Sequence, residues 1–143
     1  MRTRIVLPDG CPTHCMWGQV NYATEIADGW WSVSTPSHGG HVLSRYRLMQ
    51  MPESWRSTTY SGGGQFEEDC DWCLPAVWFR NEFIHHARQN ASKYPDGYDP
   101  AEAAFKTLVG WHQERASELR DLTGLIDMTM LGFTYDPKVK ANL

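Results

Sequence analysis

No apolar run in this sequence approaches the ~18–20 residues that cross a bilayer as a helix, and mean hydropathy is −0.51. Positive charge is not in surplus either. Thirteen Lys and Arg face seventeen Asp and Glu, a formal charge of −4, with an isoelectric point near 5.8. Direct nucleic-acid binding by general phosphate attraction is therefore not expected, and the acidity is too slight for a DNA mimic. Cysteine is sparse, at four. The basic N-terminus loses its apolar run at Pro8, so it does not read as a signal peptide; a soluble cytoplasmic protein with reduced thiols and no membrane contact is expected. Repeats, heptads and low-complexity tracts are absent. At 143 residues the chain suits one domain, since domains commonly run ~100–150 residues, and is too short for a large multidomain enzyme.

Aromatic residues are plentiful: seven Trp, six Tyr and five Phe, 13% of the chain. Each buried aromatic removes ~150–250 Å² from water, so a few of them anchor a small core at ~25 cal/mol/Å². Disorder is excluded as the main state, despite twelve Gly and eight Pro.

The N-terminal half, 1–44, reads mainly as strands. Arg2–Leu7 is β-branched and apolar. Residues 9–15 form a loop. Gln19–Glu25 places Val20 and Tyr22 on one face with Asn21 and Ala23 opposite, and Asp28-Gly29 then signals a hairpin. In Trp30–Ser34, Trp31 and Val33 share a face. Pro36 and the pair Gly39-Gly40 are expected to interrupt pairing before a further strand at His41–Ser44. Ser44 caps a short helix to about Met51, stopped by Pro52. Residues 57–66, polar and holding three consecutive glycines, read as a mobile loop.

The half from 74 to 124 reads mainly as helices. Asp71 precedes a helix opened by Leu74-Pro75 and apolar nearly all round to about Ser92. Asp99-Pro100 repeats the start signal for a second helix. Its stripe of Ala101, Ala104, Phe105, Leu108, Trp111, Ala116, Leu119 and Leu122 runs to about Gly124. Met130, Leu131 and Phe133 form a small apolar patch before a tail at 134–143. Strands followed by helices indicate an α+β domain, a small antiparallel sheet with two or three C-terminal helices packed on one face.

Three constellations carry chemistry. Cys11, Cys15, Cys70 and Cys73 form two close pairs. Zinc wants four such ligands, with His14 as a substitute; free core thiols are the preferred reading, and the cofactor is otherwise unknown. Second is Thr35-Pro-Ser-His-Gly-Gly40. Gly39 and Gly40 would expose backbone N–H groups as an anion nest, Thr35 and Ser37 add hydroxyls, and His38 is able to move protons near neutral pH. The competing reading is a hairpin connection in which His38 caps backbone groups. Third is Glu67-Glu-Asp-Cys-Asp-Trp72. Its four carboxylates repel one another unless a cation, an arginine, a helix N-terminus or a basic partner compensates. His85 and His86, adjacent on a helix, point ~100° apart and do not share a metal easily; His112 reads as a hydrogen-bonded core residue.

The second and third constellations together resemble a domain of unknown function found on phages and bacterial mobile elements. The shared pattern runs Gly-x-x-x-Val-x-Thr-Pro-Ser-His-Gly-Gly-x-x-Leu-Ser, a spacer, then Glu-Glu-Asp-Cys-Asp-Trp, and the similarity spans roughly residues 17–98. It implies a small accessory protein and brings no established reaction, so the catalytic residue set stays unknown. His38, Glu67, Glu68, Asp69 and Asp71 are the candidates; Thr35, Ser37, His38, Gly39, Gly40 and Trp72 are candidate binding residues. The two segments are expected to face each other at one end of the sheet, with the His38 imidazole near carboxylates.

Two functions compete, beside a third reading in which the chain is a structural or scaffold component with two rigidifying motifs and no chemistry. In the first, the chain binds a bacterial host protein and interferes with a host machine, as an anti-defence, anti-CRISPR-like inhibitor would. In the second, it is a small hydrolase or transferase acting on a nucleotide-like substrate through His38 and the 67–71 carboxylates.

Overall fold

The computed structural model describes residues 6–123. It has the expected α+β composition, with antiparallel strands in the N-terminal half and helices in the C-terminal half. It divides into two compact units that meet in sequence at Trp72 and Cys73.

The first unit opens with a two-rung hairpin, β1 (His14–Cys15) and β2 (Gly18–Gln19), where a plain loop was expected. A four-stranded antiparallel sheet follows in the order β3-β4-β5-β6. Its strands are β3 (Tyr22–Ala27), β4 (Trp30–Ser34), β5 (Gly39–Leu43) and β6 (Gln65–Glu67). Asp28-Gly29 makes the β3–β4 turn, with Ala27 paired to Trp30. Gly29 takes φ +73° while Asp28 stays negative, so this is not a type I′ turn, which needs positive φ at both positions. A register shift between Glu25 and Ala27 accompanies it.

Val20 falls between β2 and β3 rather than inside a strand. It is therefore buried with Ala23 while Tyr22 is exposed, the reverse of the alternation expected from the sequence. Residues 2–5 of the expected first strand lie outside the described residues, and Val6 and Leu7 join no strand.

One sheet face carries Ala23, Trp31 and Val33. With Val20 these form a cluster onto which Leu7, Cys11, Cys15, Trp17 and Val42 pack. The N-terminal segment thus covers that face. On the other face Trp30, Leu43 and Phe66 are buried, and the Trp30 indole donates to His41 Nδ1 at 2.9 Å. Ser44 caps α1 (Arg45–Leu48) by accepting from the Arg47 amide. The helix is one turn long, ending before the expected Met51, and Glu53–Trp55 adds a 3₁₀ turn.

The segment expected as a mobile loop, 57–66, is tied to its surroundings. Thr58 N–H donates to the Ser61 carbonyl, Gly62 and Gln65 exchange backbone bonds, and Leu43 N–H donates to the Gly64 carbonyl. Its end is β6, a strand only three residues long.

The second unit contains α2 (Cys73–Trp78), α3 (Arg80–Gln89), α4 (Pro100–Trp111) and α5 (Gln113–Thr123). Four helices stand where two or three were expected, because both long segments are broken. Phe79, at φ −100° and ψ 43°, separates α2 from α3. His112, at φ −133° and ψ 57°, separates α4 from α5. His112 is buried, and its Nδ1 lies 3.1 Å from Arg115 Nη1. The break takes the apolar stripe out of phase: Leu108 and Leu119 are buried, whereas Trp111 and Leu122 are 69% and 60% exposed. The expected patch at Met130, Leu131 and Phe133 lies outside the described residues.

The α4 start follows its sequence signal. Asp99 Oδ1 accepts from the Ala101 amide at 2.9 Å and the Glu102 amide at 3.3 Å, with Pro100 in the first turn. Asp99→Ala should lower unfolding stability by about 1 kcal/mol, the usual scale of a lost N-cap. Chemical denaturation followed by circular dichroism checks this; an unchanged midpoint would show that the cap contributes nothing.

Candidate functional site: an acidic aromatic cleft

Thr35 organises the β4–β5 connection. Its N–H donates to the His38 carbonyl at 2.7 Å. Its hydroxyl donates to the same carbonyl at 2.7 Å, with the Trp17 carbonyl a longer alternative acceptor at 3.3 Å. The hydroxyl oxygen in turn accepts from His38 N–H at 3.2 Å. Pro36 fits such a turn because its φ is already set. The segment is a hairpin connection, but the Thr35 hydroxyl does the capping that was expected of His38. The His38 side chain is exposed and makes no hydrogen bond or ion pair among the described residues. His38 does share a recess with the Glu67 and Asp69 side chains, as expected, but makes no ion pair with either. Ser37 is exposed.

Gly39 and Gly40 do not interrupt pairing; they begin β5. Gly39 pairs with Ser34, and Gly40 lies between Val33 and Glu67. Both are buried within the sheet, so the anion-nest expectation fails. Their small size answers a packing demand. A Cβ on Gly40 would collide with the Phe66 carbonyl and the tip of the Trp17 ring. A Cβ on Gly39 would come within 2.8 Å of Glu68 Oε2 and of the Val33 carbonyl.

The acidic run enters on β6, whose Glu67 is the register partner of Gly40. The two motifs, distant in sequence, are thus joined rung to rung. After β6 the chain turns tightly and Glu67 holds the turn. Its Oε2 accepts from the Asp69 amide at 2.8 Å, and its Oε1 from the amides of Cys70 and Asp71 at 2.5 and 2.6 Å. Its carbonyl accepts from Trp72 N–H at 2.8 Å. Asp71 is 2% exposed. It accepts from the hydroxyls of Thr58 and Ser61, and Ser61 Oγ accepts in turn from Glu67 N–H at 3.1 Å. Two of the four acids are therefore compensated by hydrogen-bond donors of this same unit. Glu68 and Asp69 are exposed, and their carboxylates have no partner among the described residues.

Between these segments lies a cleft of about 320 Å³, lined by Trp17, His38, Tyr60, Glu67, Asp69 and Cys70. Trp17 is placed by β2 and by its contact with Gly40. Tyr60 projects from the 57–66 segment, 70% exposed. Among the described residues no Lys or Arg lines the cleft.

A family described as a domain of unknown function, DUF7007, matches residues 10–123. The chain belongs to the DUF7007 family. No curated protein and no solved structure matches it.

Within this DUF7007 domain the remaining candidates are placed as follows. Trp72 does not line the cleft; its ring lies 6.1 Å from that of His41, which in turn lies 5.8 Å from Trp30. Cys11 and Cys15 are half-buried against the first unit's core. Cys73 is fully buried, and none of the four cysteines is in a disulfide. Among the described residues no group of three or more His, Cys, Asp and Glu side chains is arranged to hold a metal ion. In the second unit His85 is exposed. Burial, then the nearby Lys93 and His85, lowers the pKa of His86.

Sequence reasoning missed Trp17 and Tyr60. For Tyr60 the signal was present, as the one aromatic in the polar run Ser57–Gln65. For Trp17 it lay only in the three-dimensional demand for a glycine opposite.

Burial, then the charges of Glu67, Asp71 and Asp69, pushes the Cys70 thiol above its ordinary range. The thiolate is the reactive form, so Cys70 should resist iodoacetamide at about pH 8.5, where an ordinary thiol is half ionised. The rate should climb only at higher pH. Asp69→Asn should speed the reaction by removing one of the opposing charges. Peptide-resolved mass spectrometry reads both; fast labelling of Cys70 that is indifferent to Asp69 would contradict this electrostatic account.

Proposed function

We propose that this chain is a small accessory protein of a phage or bacterial mobile element. In this reading it works in the host cytoplasm, where it binds a host protein and interferes with its machine, in the manner of an anti-defence inhibitor. The observation that carries the reading is the composition of the cleft. Two aromatic side chains, Trp17 and Tyr60, stand beside carboxylates in a recess that no Lys or Arg of the described residues lines. Such a surface suits a basic partner, because opposite charge steers encounter and fixes register, while aromatics supply most of the contact energy in small interfaces. The free carboxylates of Glu68 and Asp69 and the overall charge of −4 point the same way.

A second reading, a small hydrolase or transferase acting on a nucleotide-like substrate, is favoured by one observation: His38 and Asp69 share the cleft. The rest of the expected catalytic set supports it less. Both Glu67 oxygens are occupied by backbone donors, which leaves little room to take a substrate proton. Asp71 is buried under two hydroxyls, and the raised pKa of Cys70 disfavours a thiolate nucleophile.

Affinity capture from a bacterial host, followed by titration with the purified partner, tests the first reading. A saturable complex that weakens with added salt is expected. Tyr60→Ala and Asp69→Asn should each reduce affinity about tenfold, equivalent to ~1.4 kcal/mol, without changing the circular dichroism spectrum. A complex indifferent to both variants, or no retained protein at all, would contradict it. His38→Asn should leave binding nearly unchanged under the first reading and abolish turnover under the second.

A further inference from the structure

We infer that a second binding site, in the cleft at the Asp28-Gly29 end of the sheet, takes an organic cation on an apolar stem. The cavity measures about 460 Å³, and its walls include Cys11, Pro12, Trp31 and Val42 together with the acids Glu25 and Asp28. The site does not rest on the His38 cleft or on its proposed partner.

The sheet register places it. Glu25 pairs with Trp31 and Trp31 with Val42, so these three form a row on the face covered by the N-terminal segment. Two residues further along β4 is the row of Ala23, Val33, Gly40 and Glu67, which leads to the His38 cleft. The covering segment lies across the face between them, Trp17 over Gly40 at one end and Cys11 and Pro12 at the other. It leaves a recess open at each end.

The lining selects the ligand. Glu25 and Asp28 are both exposed, neither has a side-chain hydrogen bond or ion pair among the described residues, and among those residues no Lys, Arg or His lines the cavity. An anion would meet the two lining carboxylates. A neutral apolar ligand would strip water from two carboxylates and give nothing back. A metal ion would find two carboxylates where no group of three ligands is assembled. A guanidinium or ammonium head on an alkyl stem satisfies both parts. The head replaces water at the carboxylates, and the methylenes pack on the indole, proline and valine. The volume falls within the ~300–1,000 Å³ of ordinary small-ligand pockets, so it admits such a group from a free metabolite or from a partner's side chain.

Amide and indole NMR shifts of the full chain, titrated with N-acetylarginine amide, test the inference. Saturable shifts are expected at Gly10, Gly29, Ser44 and the Trp31 indole N–H. The neutral isostere N-acetylcitrulline amide should produce none. The double variant Glu25→Gln/Asp28→Asn, still showing a dispersed spectrum, should weaken binding about tenfold or more, as expected for loss of charged hydrogen-bond acceptors. Equal response to citrulline, unchanged affinity in the double variant, or shifts confined to Tyr60, Asp69 and Cys70 would overturn it. Agmatine and the peptide acetyl-Gly-Arg-Gly-amide separate the sources: tighter binding of the first indicates a free cation, of the second a protein side chain.

Discussion

At Gly40 three parts of the first unit meet where a side chain would otherwise stand. The Trp17 ring from the covering segment, the Phe66 carbonyl from β6 and the Val33 rung of β4 all close on this position. Any larger residue forces one of them away, and overpacking a filled site costs ~1–3 kcal/mol. With glycine there, β6 pairs at Gly40–Glu67, the cover settles on the sheet, and the cleft acquires both its aromatic wall and its acidic edge. Thr35 reinforces the arrangement by holding the turn before Gly39 and reaching toward the Trp17 carbonyl, and Met16 N–H donates to Gln65 Oε1 at 2.6 Å from the other side.

The acidic run then divides by task. Carboxylates so close in sequence are costly unless each finds compensation. Glu67 finds it in three amides of its own turn and Asp71 in two hydroxyls from the 57–66 segment, so these two shape the loop. Glu68 and Asp69 are exposed without a carboxylate partner among the described residues, and Asp69 joins Glu67 in lining the cleft. Charge density visible in the sequence is thus partly architecture, and only the hydrogen-bond partners tell which acids serve it.

Much of the fold was legible because local signals were strong. Asp28-Gly29 marked its hairpin, Trp31 and Val33 their shared face, and Asp99-Pro100 its helix start. Errors arose where tertiary demands override local ones. Gly39 and Gly40 look like strand breakers, yet they sit in a strand because the sheet needs close approach there. β6 is too short to show a period. Phe79 and His112 break helices whose apolar stripe, read alone, runs straight through. Of the site, the meeting of the His-Gly turn with the acidic run was inferable from two polar segments in an aromatic chain. The roles within it were not, since capping by Thr35 and the work of Glu67 depend on backbone amides that no residue pattern reveals.

The convergence of the cover, the His-Gly turn and the acidic strand at one glycine is most directly tested by proton NOEs from Gly40 Hα. The account predicts cross-peaks to the six-membered-ring protons of Trp17 and across the sheet to backbone protons of β6. A spectrum in which Gly40 Hα sees only its sequence neighbours and β4 would contradict it.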